Sequence, residues 1–488
     1  MNLNPLGNGM DATLRIAELP VGIHGGILGL SLAPGKKGPS VFGSRHVRDL
    51  DEDLDIVRDW GAAVVVTLME GPELDAFAIS GIGEGVRRRF MEWHHLPIVD
   101  GNIPDAAFEA AWPDVSARLR ALLLAGNRVF VHCRGGLGRA GMVSARLLAE
   151  LGIPPDLAIT DVRTARNPMA IETRAQEEWV RDGKEESVGP FGLGERDRAV
   201  GAMVGLAVGD AVGTTLEFTA KPEVPVLFDM VGGGPFSLAP GQWTDDTAMS
   251  LALADSLLRD HTLDLTDLMN RFVNWREHGQ YSCTGACFDI GVATSRALDR
   301  YLSYGDPRAG SELPTDAGNG CVMRMAPVSV RFRKDWVVLF DVAKRQATTT
   351  HRAPEAIEYS GYLADIVADA ISGIPLHELV TGGSAADVRD FRVGQPRDEV
   401  RGTGYVVDCV HAALWAVSRT TSFESAVLMA ANLGQDADTT AAVAGQIAGA
   451  VYGLSGIPKR WLDKLAWREE IERKANALFD ASELDVDD

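Results

Sequence analysis

The chain is 488 residues long, and 46% of its residues are hydrophobic, 24% charged and 7% aromatic. This composition supports packed cores in two or more domains, and it excludes an intrinsically disordered chain, a collagen-like fibre and a small disulfide scaffold. The 47 basic side chains are outnumbered by 68 acidic ones, so the net charge is −21. A surface of this sign argues against bulk binding of nucleic acid or of an anionic membrane, while a local basic pocket can still hold a small anion.

Cysteine usage and the start of the chain indicate a cytoplasmic protein. The five cysteines are odd in number and scattered along the sequence, as expected for reduced thiols. The opening stretch MNLNPLGNGMDATLR lacks a basic region followed by an apolar run, so it does not predict a secretory signal. We therefore expect a cytoplasmic location.

Residues 1–182 combine buried strand patterns with amphipathic helix patterns. A helix with one apolar face is predicted over residues 50–60, and the apolar run 62–68 predicts a buried strand. Residues 96–100 and 129–133 predict two further strands, with a helix between them. This alternation predicts an α/β domain whose sheet is parallel or mixed.

A cysteine-containing loop follows the last of these strands. Residues 132–141 read His-Cys-Arg-Gly-Gly-Leu-Gly-Arg-Ala-Gly, and a helix is predicted to follow. The loop glycines permit a tight turn whose N–H groups point at an anion, and the helix N-terminus adds positive potential. That potential favours the thiolate of Cys133, which can attack phosphorus, and Arg139 can bind two phosphoryl oxygens. The substrate-binding glycines would be Gly135, Gly136 and Gly138.

Two other interpretations of this loop are weaker. Gly136 begins a GxGxxG pattern typical of dinucleotide binding, but the acidic residue expected about twenty positions later, Asp156, follows two prolines instead of ending a strand. A merely structural buried Cys133 would not require Arg139 and three loop glycines. The loop therefore predicts a phosphate-binding cysteine site.

The loop resembles the signature of cysteine-dependent protein phosphatases of the dual-specificity branch, and its surroundings resemble kinase-associated phosphatase. The similarity is carried by segments 28–37, 48–61, 94–105 and 170–180, so it covers most of residues 20–182. The resemblance implies the α/β cysteine-phosphatase fold and a phosphorylated protein or metabolite as the substrate.

Five residue roles follow from this resemblance. Cys133 would be the nucleophile, Arg139 would bind the phosphate, and Asp100 would be the general acid that protonates the leaving oxygen. Gln176 would orient the water that hydrolyses the phosphocysteine, and His132 would hold the loop and tune the thiolate.

The sequence departs from the phosphatase pattern at Ala140. This alanine replaces the Ser or Thr that usually follows the arginine and stabilises the departing thiolate, so hydrolysis of the phosphocysteine is expected to be slow. A first domain that senses phosphate without catalysis therefore stays open as an alternative. The tripeptide Trp112-Pro113-Asp114 copies the acid loop of larger tyrosine phosphatases, but it lies inside a helical pattern and is interpreted as structural.

The second part of the chain has a different sequence pattern, which is mostly helical. Residues 183–195 are polar and glycine-rich, which predicts a linker; mostly helical patterns follow over residues 196–480, and residues 481–488 form an acidic tail. The segment 199–216 is nearly all apolar and has glycines spaced by four, as in a transmembrane helix dimer. Because it contains Asp210 and barely reaches the ~20 residues needed to cross a bilayer, we predict a buried helix in close contact with its neighbours.

Paired carboxylates in this helical half predict a metal centre. Three acidic clusters are present: Asp210 with Glu217, Asp245 with Asp246, and Asp436 with Asp438. The last two stand where loops turn into helices, and a single Asp or Thr there could be a plain N-cap. Capping does not explain paired carboxylates flanked by threonine hydroxyls, whereas oxygen ligands without His or Cys point to Mg²⁺ or Mn²⁺. The five carboxylates other than Asp210 balance the charge of two divalent ions better than that of one.

These clusters resemble those of the ADP-ribosylglycohydrolase family, which includes the dinitrogenase reductase-activating glycohydrolases. Four blocks in the family's order carry the similarity over about residues 195–475, namely 201–218, 243–249, 317–328 and 433–453. The resemblance implies an all-α bundle with two Mg²⁺ or Mn²⁺ ions in a central cleft.

The family's site residues carry over onto matching positions. The metal ligands would be Thr244, Asp245, Asp246, Asp436, Asp438 and Thr439. The ADP-ribose diphosphate and ribose would meet Gly318, Asn319, Gly320 and His351. Glu217 would lie on a mobile loop over the site, and a carboxylate such as Asp246 could activate the attacking water.

These observations predict a multidomain, bifunctional hydrolase in which a cysteine phosphatase precedes an ADP-ribosylglycohydrolase. The expected partners are an ADP-ribosylated protein or an ADP-ribose-containing small molecule, and a phosphorylated protein or metabolite, without a membrane. An ADP-ribose-binding or structural module is the alternative. Such a protein would be expected to lose its metal carboxylates, and here all five are present.

Overall fold

The computed structural model describes residues 13–22, 24–40, 43–183, 186, 193–260 and 262–484. The chain divides into two compact units, Met1–Val188 and Gly189–Asp488. The division falls inside the predicted linker 183–195, most of which lies outside the described residues, as do residues 485–488 of the predicted tail. The boundaries at residues 182 and 196 stay predictions.

The first unit contains a five-stranded sheet with the order β1-β2-β7-β5-β6. Its strands are β1 (Ala17–Val21), β2 (Gly26–Leu32), β5 (Ala62–Thr67), β6 (Glu92–His95) and β7 (Arg128–Cys133). A separate antiparallel ribbon is formed by β3 (Lys37–Ser40) and β4 (Gly43–Val47). In the main sheet β1 and β2 are antiparallel, whereas the other pairs are parallel, so the predicted mixed α/β fold is confirmed.

Helices cover this sheet, which lies between two hydrophobic cores. They are α1 (Leu50–Asp59), α2 (Gly71–Ala76), α3 (Ile82–Arg88), α4 (Ala106–Leu124), α5 (Gly138–Glu150), α6 (Pro155–Ala165) and α7 (Arg174–Arg181). Successive residues of a strand point to opposite faces. Accordingly, Val129 and Val131 belong to one core and Phe130 to the other, so β7 is buried on both sides.

The prediction of a strand over residues 96–100 is wrong. β6 ends at His95, and the following residues leave the sheet as a loop that carries Asp100. Leu96 and Ile98 still donate to the carbonyl oxygens of Thr67 and Leu68, at 3.0 and 3.1 Å. Pro97 lies between them and has no N–H, which explains why regular pairing stops here.

The Trp112-Pro113-Asp114 tripeptide lies within α4, as its helical pattern indicated. The Trp112 ring is buried in the core and stacks on Phe108. Its indole N–H donates to Glu150 at 2.7 Å. These contacts support the structural interpretation of the tripeptide.

The second unit is built from helices, as predicted. They are α8 (Glu195–Gly213), α9 (Asp245–Arg259), α10 (Leu265–His278), α11 (Val292–Tyr304), α12 (Ala326–Phe332), α13 (Trp336–Thr348), α14 (Pro354–Ser372), α15 (Leu376–Leu379), α16 (Val406–Ser418), α17 (Phe423–Ala431), α18 (Ala437–Tyr452), α19 (Lys459–Leu462) and α20 (Arg468–Leu484). The end of α20 includes the first four residues of the predicted acidic tail.

The apolar segment is the central helix of this unit. Within the described residues, Glu195–Leu216 is the one helical stretch long and apolar enough to cross a membrane, and 94% of its apolar window is buried inside the structure. α8 packs against α18 through the predicted glycine stripe, Gly201, Gly205, Gly209 and Gly213. A Cβ atom at any of the four would lie only 2.1–2.3 Å from a backbone oxygen of α18. The glycines therefore serve close helix packing, and the predicted buried helix is confirmed.

Candidate active sites of the two units

The cysteine loop lies between β7 and α5, where the sheet places it beside β2. Leu32 of β2 is the register partner of Cys133, so both strands end at the same edge. Gly136 has φ +67°, and a Cβ there would meet the backbone of Ser31 at 2.3 Å, so this position requires glycine. Its N–H lies 3.3 Å from the sulfur of Cys133, which is 3% exposed. The loop thus presents a buried sulfur and backbone donors at the N-terminus of a thirteen-residue helix.

Arg139 is buried and brings together the groups around this loop. Its Nη1 and Nη2 donate to the two carboxylate oxygens of Glu73 at 2.5 and 3.0 Å, and Nη1 also donates to the Ile98 carbonyl oxygen at 2.9 Å. Its Nη2 lies 2.9 Å from Asp100 Oδ1. Within the described part of the chain, Nε has no hydrogen-bond partner, so it is a buried donor available to an anion.

Asp100 lies at the mouth of the site. Its side chain is 53% exposed, and Arg134 Nη1 lies 3.4 Å from its second oxygen. Arg134 in turn packs over the Phe77 ring, 5.5 Å from the ring centre. Two arginines of the cysteine loop and of the helix after it thus hold the half-exposed carboxyl group of Asp100.

His132 and Gln176 hold neighbouring segments. His132 Nε2 is 2.8 Å from the Thr67 hydroxyl, and burial lowers the pKa of His132 to about 3, so the ring is neutral. The Gln176 amide donates to the Asn102 carbonyl oxygen at 3.2 Å and accepts from the Glu172 N–H at 2.9 Å. Gln176 therefore ties α7 to the loop that carries the candidate general acid.

Sequence reasoning missed three charged groups around this loop. Glu73 holds Arg139, and the hydrogen bond from Arg139 keeps the pKa of Glu73 below its ordinary value although burial alone would raise it. Arg166 donates to the carbonyl oxygens of Gly135 and Gly136 at 3.2 and 3.0 Å. Glu172 packs over Gly138, where a Cβ would lie 2.2 Å from its carboxylate. These residues lie far from the loop in sequence, and no local pattern marks them.

In the second unit, the acidic clusters converge. Two overlapping groups have their oxygen atoms within 4.8 Å of one another: Asp210 with Asp246 and Asp438, and Glu217 with Asp436 and Asp438. Asp438 belongs to both groups and joins them into one centre. The predicted candidates Glu217, Asp246, Asp436 and Asp438 are thus brought together, and Asp210 joins them.

The threonines complete this centre. The Thr244 hydroxyl lies 2.9 Å from Asp210, 3.2 Å from Asp246 and 3.3 Å from Asp438. Thr439, next to Asp438, is buried, and its N–H donates to Asp438 Oδ1 at 2.7 Å. Hydroxyl and carboxylate oxygens therefore face one buried space.

The helix N-termini are capped by carboxylates from elsewhere in the chain. Thr244 and Asp436 occupy the N-cap positions of α9 and α18, and neither makes a side-chain capping hydrogen bond. Instead, Asp210 accepts from the N–H groups of Thr244 and Thr247, and Glu217 accepts from Ala437 N at 2.7 Å. The predicted pairs Asp245–Asp246 and Asp436–Asp438 are therefore not needed to cap these helices, and their carboxylates are available to bind a cation.

Burial and mutual repulsion hold protons on these carboxyl groups. Both causes raise the pKa of Asp210, Asp436 and Asp438 to about 7. They raise the pKa of Asp245 and Asp246 well above the ordinary value, while Asp289 repels Asp245 from a nearby loop. Such a set costs free energy without a counter-ion.

The residues present fit divalent cations. Asp246 Oδ1 is buried and has no hydrogen-bond partner among the described residues, and Asp246 belongs to the first group of converging carboxylates. All candidate ligands are oxygen atoms of Asp, Glu and Thr, which suit hard cations such as Mg²⁺ or Mn²⁺.

The predicted sugar-binding residues lie beside the acidic centre. The Asn319 side chain donates to Asp436 at 3.0 Å, and its backbone N–H donates to the Gly404 carbonyl oxygen at 3.0 Å. Gly318 and Gly320 pack on the His351 ring, where a Cβ at Gly320 would lie 2.6 Å from the ring. His351 is buried, and burial lowers its pKa to about 3, so the ring is neutral.

An open cavity of about 340 Å³ adjoins these residues. Gly318, Gly404 and Tyr405 form part of its wall, together with Arg296 and Arg300 of α11. It offers aromatic, backbone and cationic groups next to the acidic centre, which suits a ligand with both a ring and a phosphate.

Comparisons with known proteins match both units. Residues 193–487 match the family model of ADP-ribosylglycohydrolase, and residues 41–188 match that of the Swiss Army Knife protein, DSP-PTPase phosphatase domain. The ADP-ribosylarginine hydrolase Tri1 of Serratia proteamaculans (strain 568) is 46% identical over 294 residues, which cover 58% of this chain and 79% of the relative. The ADP-ribosyl-(dinitrogen reductase) glycohydrolase of Rhodospirillum rubrum is 36% identical over 304 residues, with 59% and 98% covered.

A solved structure agrees with these matches. The protein described as an ADP-ribosylglycohydrolase-related protein complex has a TM-score of 0.51 and 40% identity, and the alignment covers 59% of this chain and 99% of that chain. Both family resemblances are thereby confirmed, and both families are hydrolases. The chain belongs to the ADP-ribosylglycohydrolase family, and it carries a DSP-PTPase phosphatase domain ahead of its glycohydrolase domain.

Proposed function

We propose that this chain is a cytoplasmic, bifunctional enzyme that hydrolyses the bond between ADP-ribose and an arginine side chain and, in its first unit, hydrolyses phosphate monoesters. The convergence of carboxylates from α8, the following loop, α9 and α18 on one buried point carries the first activity. The buried Cys133 and Arg139 at a helix N-terminus support the second. The five unpaired cysteines support a reducing compartment.

Two divalent cations belong to the glycohydrolase proposal. Their ligands would be Thr244, Asp245, Asp246, Asp436, Asp438 and Thr439, with Asp210 and Glu217 closing the centre. When bound, Mg²⁺ or Mn²⁺ would supply Lewis acidity and fix the ribose hydroxyls beside the anomeric carbon.

Side chains and backbone groups of this chain would bind the substrate and transfer the proton. Asn319, Gly318 and the cavity beside them would hold the ribose and diphosphate. Asp246, through its unpartnered Oδ1, would take a proton from the attacking water. The water oxygen bonds to the anomeric carbon and the carbon–nitrogen bond breaks. Asp246 then returns the proton taken from water to the leaving guanidine nitrogen.

Two observations favour arginine as the modified side chain. The relative from Serratia proteamaculans is an ADP-ribosylarginine hydrolase. In addition, Phe218, Phe236 and Phe288 form a chain of ring contacts, with ring centres 6.3 and 5.4 Å apart. Phe218 directly follows Glu217 in sequence, and its side chain is exposed. Aromatic faces next to acidic oxygens suit a planar guanidinium.

The phosphatase reaction would proceed in two displacements. The Cys133 sulfur attacks phosphorus and the ester oxygen leaves with a proton from Asp100. Water then attacks the phosphocysteine, oriented by Gln176, and Asp100 takes a proton back. Arg139 Nε would bind a phosphoryl oxygen while Glu73 fixes the other end of the guanidinium. We expect slow turnover because Ala140 offers no hydroxyl to the departing sulfur.

Mass spectrometry of the reaction products tests both activities in one set of variants. With Mn²⁺, wild type should release free ADP-ribose from an arginine-linked peptide, and Asp245→Ala should lose this release by 100-fold or more. Cys133→Ser is the matched control: it should keep ADP-ribose release and lose the turnover of p-nitrophenyl phosphate. Binding of ADP-ribose without release from any linkage would contradict the enzyme and support the binding-module alternative.

A further inference from the structure

Lys36 is a largely buried lysine that neither proposed reaction uses. Its residue is 3% exposed, and within the part of the chain that the structure describes its side chain makes neither a hydrogen bond nor an ion pair. A lysine that loses its hydration normally gains a carboxylate or hydrogen-bond partner. The Lys36 side chain is thus a largely buried cation without a carboxylate or hydrogen-bond partner among the described residues, and it is available to an anion bound or formed nearby.

The fold fixes Lys36 beside the cysteine loop. β2 ends at Leu32, the register partner of Cys133, and Lys36 follows four residues later at the same edge of the sheet. The Gly35 N–H donates to Asp53 at 2.8 Å, and Arg48 pairs with that carboxylate. The Lys36 carbonyl oxygen accepts from the Arg48 N–H at 3.3 Å. The buried Arg48–Asp53 pair thus anchors the backbone that carries the ammonium group.

The charges near Lys36 belong to the candidate phosphatase site. Burial and the nearby Arg134 lower the pKa of Lys36, whereas Cys133 and Asp100 act in the opposite direction. Arg139 and Arg166 also face Cys133, and His132 beside it is neutral. Arg139 is already paired with Glu73 and Asp100, and Arg166 donates to two loop carbonyl oxygens. Lys36 is the cation of this group whose side chain has neither a hydrogen bond nor an ion pair among the described residues, although Asp100 lies close enough to oppose the lowering of its pKa by burial.

A thiolate at Cys133 lacks one expected partner. Ala140 is fully buried and has no hydroxyl, so it cannot donate to the sulfur where the related phosphatases have Ser or Thr. Among the described residues, the Gly136 N–H donates to the sulfur at 3.3 Å. A nearby cation could supply the missing stabilisation without a hydrogen bond.

We infer that Lys36 is a positioning residue that stabilises the Cys133 thiolate and supplies part of the stabilisation that a hydroxyl at position 140 would give. The inference rests on the proposed phosphatase function for its kinetic consequence. Lys36 keeps its proton throughout. In the second displacement the sulfur–phosphorus bond breaks, the electron pair stays on sulfur, and the ammonium group stabilises that charge.

Alkylation of Cys133 by iodoacetamide tests whether Lys36 stabilises the thiolate, and it does not require a phosphatase reaction. The rate at Cys133 is followed by peptide mapping from pH 4 to 9, and melting curves confirm that each variant is folded. In Lys36→Met the pH midpoint of alkylation should rise by about one unit, whereas Lys36→Arg and the exposed neighbour variant Lys37→Met should resemble wild type. An unchanged midpoint in folded Lys36→Met and in Lys36→Gln would overturn the inference.

Single-turnover kinetics test the role of Lys36 in the hydrolysis of the phosphocysteine. With p-nitrophenyl phosphate, Lys36→Met should accumulate trapped phosphocysteine and lose it about 10-fold more slowly than wild type, and adding Ala140→Ser should restore its decay. Failure of Ala140→Ser to restore decay would count against the proposed replacement. If wild type hydrolyses no phosphate ester but its alkylation midpoint still depends on Lys36, the phosphatase proposal fails while the electrostatic role stands.

Discussion

At the scale of single residues, Asp210 links the helix core to the acidic centre. It is a lone acid in an apolar helix, and its carboxylate accepts from the backbone and hydroxyl groups of both Thr244 and Thr247. An acid at such a position predicts a buried partner. The sequence does not say which partner, because that depends on how α8 packs near the start of α9.

Replacing Asp210 by Asn removes a charge at nearly constant volume. Because Asp210 orients Thr244 and lies next to Asp246 and Asp438, we expect the affinity for Mn²⁺ to fall 10- to 100-fold. Isothermal titration calorimetry measures this change. Asp299→Asn is the control, because Asp299 belongs to an ion pair on the surface. Equal Mn²⁺ affinity in both variants would refute a role for Asp210.

The raised pKa values make the stability of the metal-free protein depend on pH. Asp210, Asp436 and Asp438 have an ordinary pKa of 3.8 and a folded pKa of about 7, because burial and repulsion disfavour their charged forms. Between these values the folded state binds more protons than the unfolded state, so stability falls as pH rises through this window.

We therefore expect the melting temperature of the chelated protein to be lower at pH 8 than at pH 5. Added Mn²⁺ should raise it more at pH 8, where the ligands are ionised, than at pH 5. Calorimetry of wild type with and without cation checks this, and Asp438→Asn should flatten the dependence. A melting temperature independent of pH over this range would contradict the coupling of these groups.

At the scale of elements, the contact between α8 and α18 sets the position of the acidic centre. A Cβ at Gly205 would lie 2.3 Å from the Gly445 carbonyl oxygen, so Gly205→Ala must push the helices apart. We expect it to lower the free energy of unfolding by about 2–4 kcal/mol in chemical denaturation. Gly291→Ala, whose Cβ would lie 3.9 Å from its nearest neighbour, is the control and should change little.

The sequence largely predicted which segments form helices and strands. It did not predict which distant elements come into contact. Apolar periodicity identified β5, β7 and α8, but the Pro97 segment did not continue as a strand. The loop after β7 was predictable because its residues are contiguous. The positions of Glu73 and Lys36 were not predictable, because sheet topology and loop packing bring these residues to the end of the sheet that carries the cysteine loop.

At the scale of the whole molecule, two hydrolase units share one strongly acidic chain. Each unit contains buried core residues and its own candidate site. The proposed arginine-specific hydrolysis depends most on the acidic centre, because the carboxylates of this centre must hold the cations.

Calorimetric titration of the chelated full-length chain with Mn²⁺ at pH 7.5 tests this requirement directly. We expect two ions per chain in wild type and a loss of at least one site in Asp438→Ala, since Asp438 belongs to both groups of converging oxygens. Asp299→Ala should bind as wild type does. No Mn²⁺ binding by wild type, or unchanged stoichiometry and affinity in Asp438→Ala, would contradict the account.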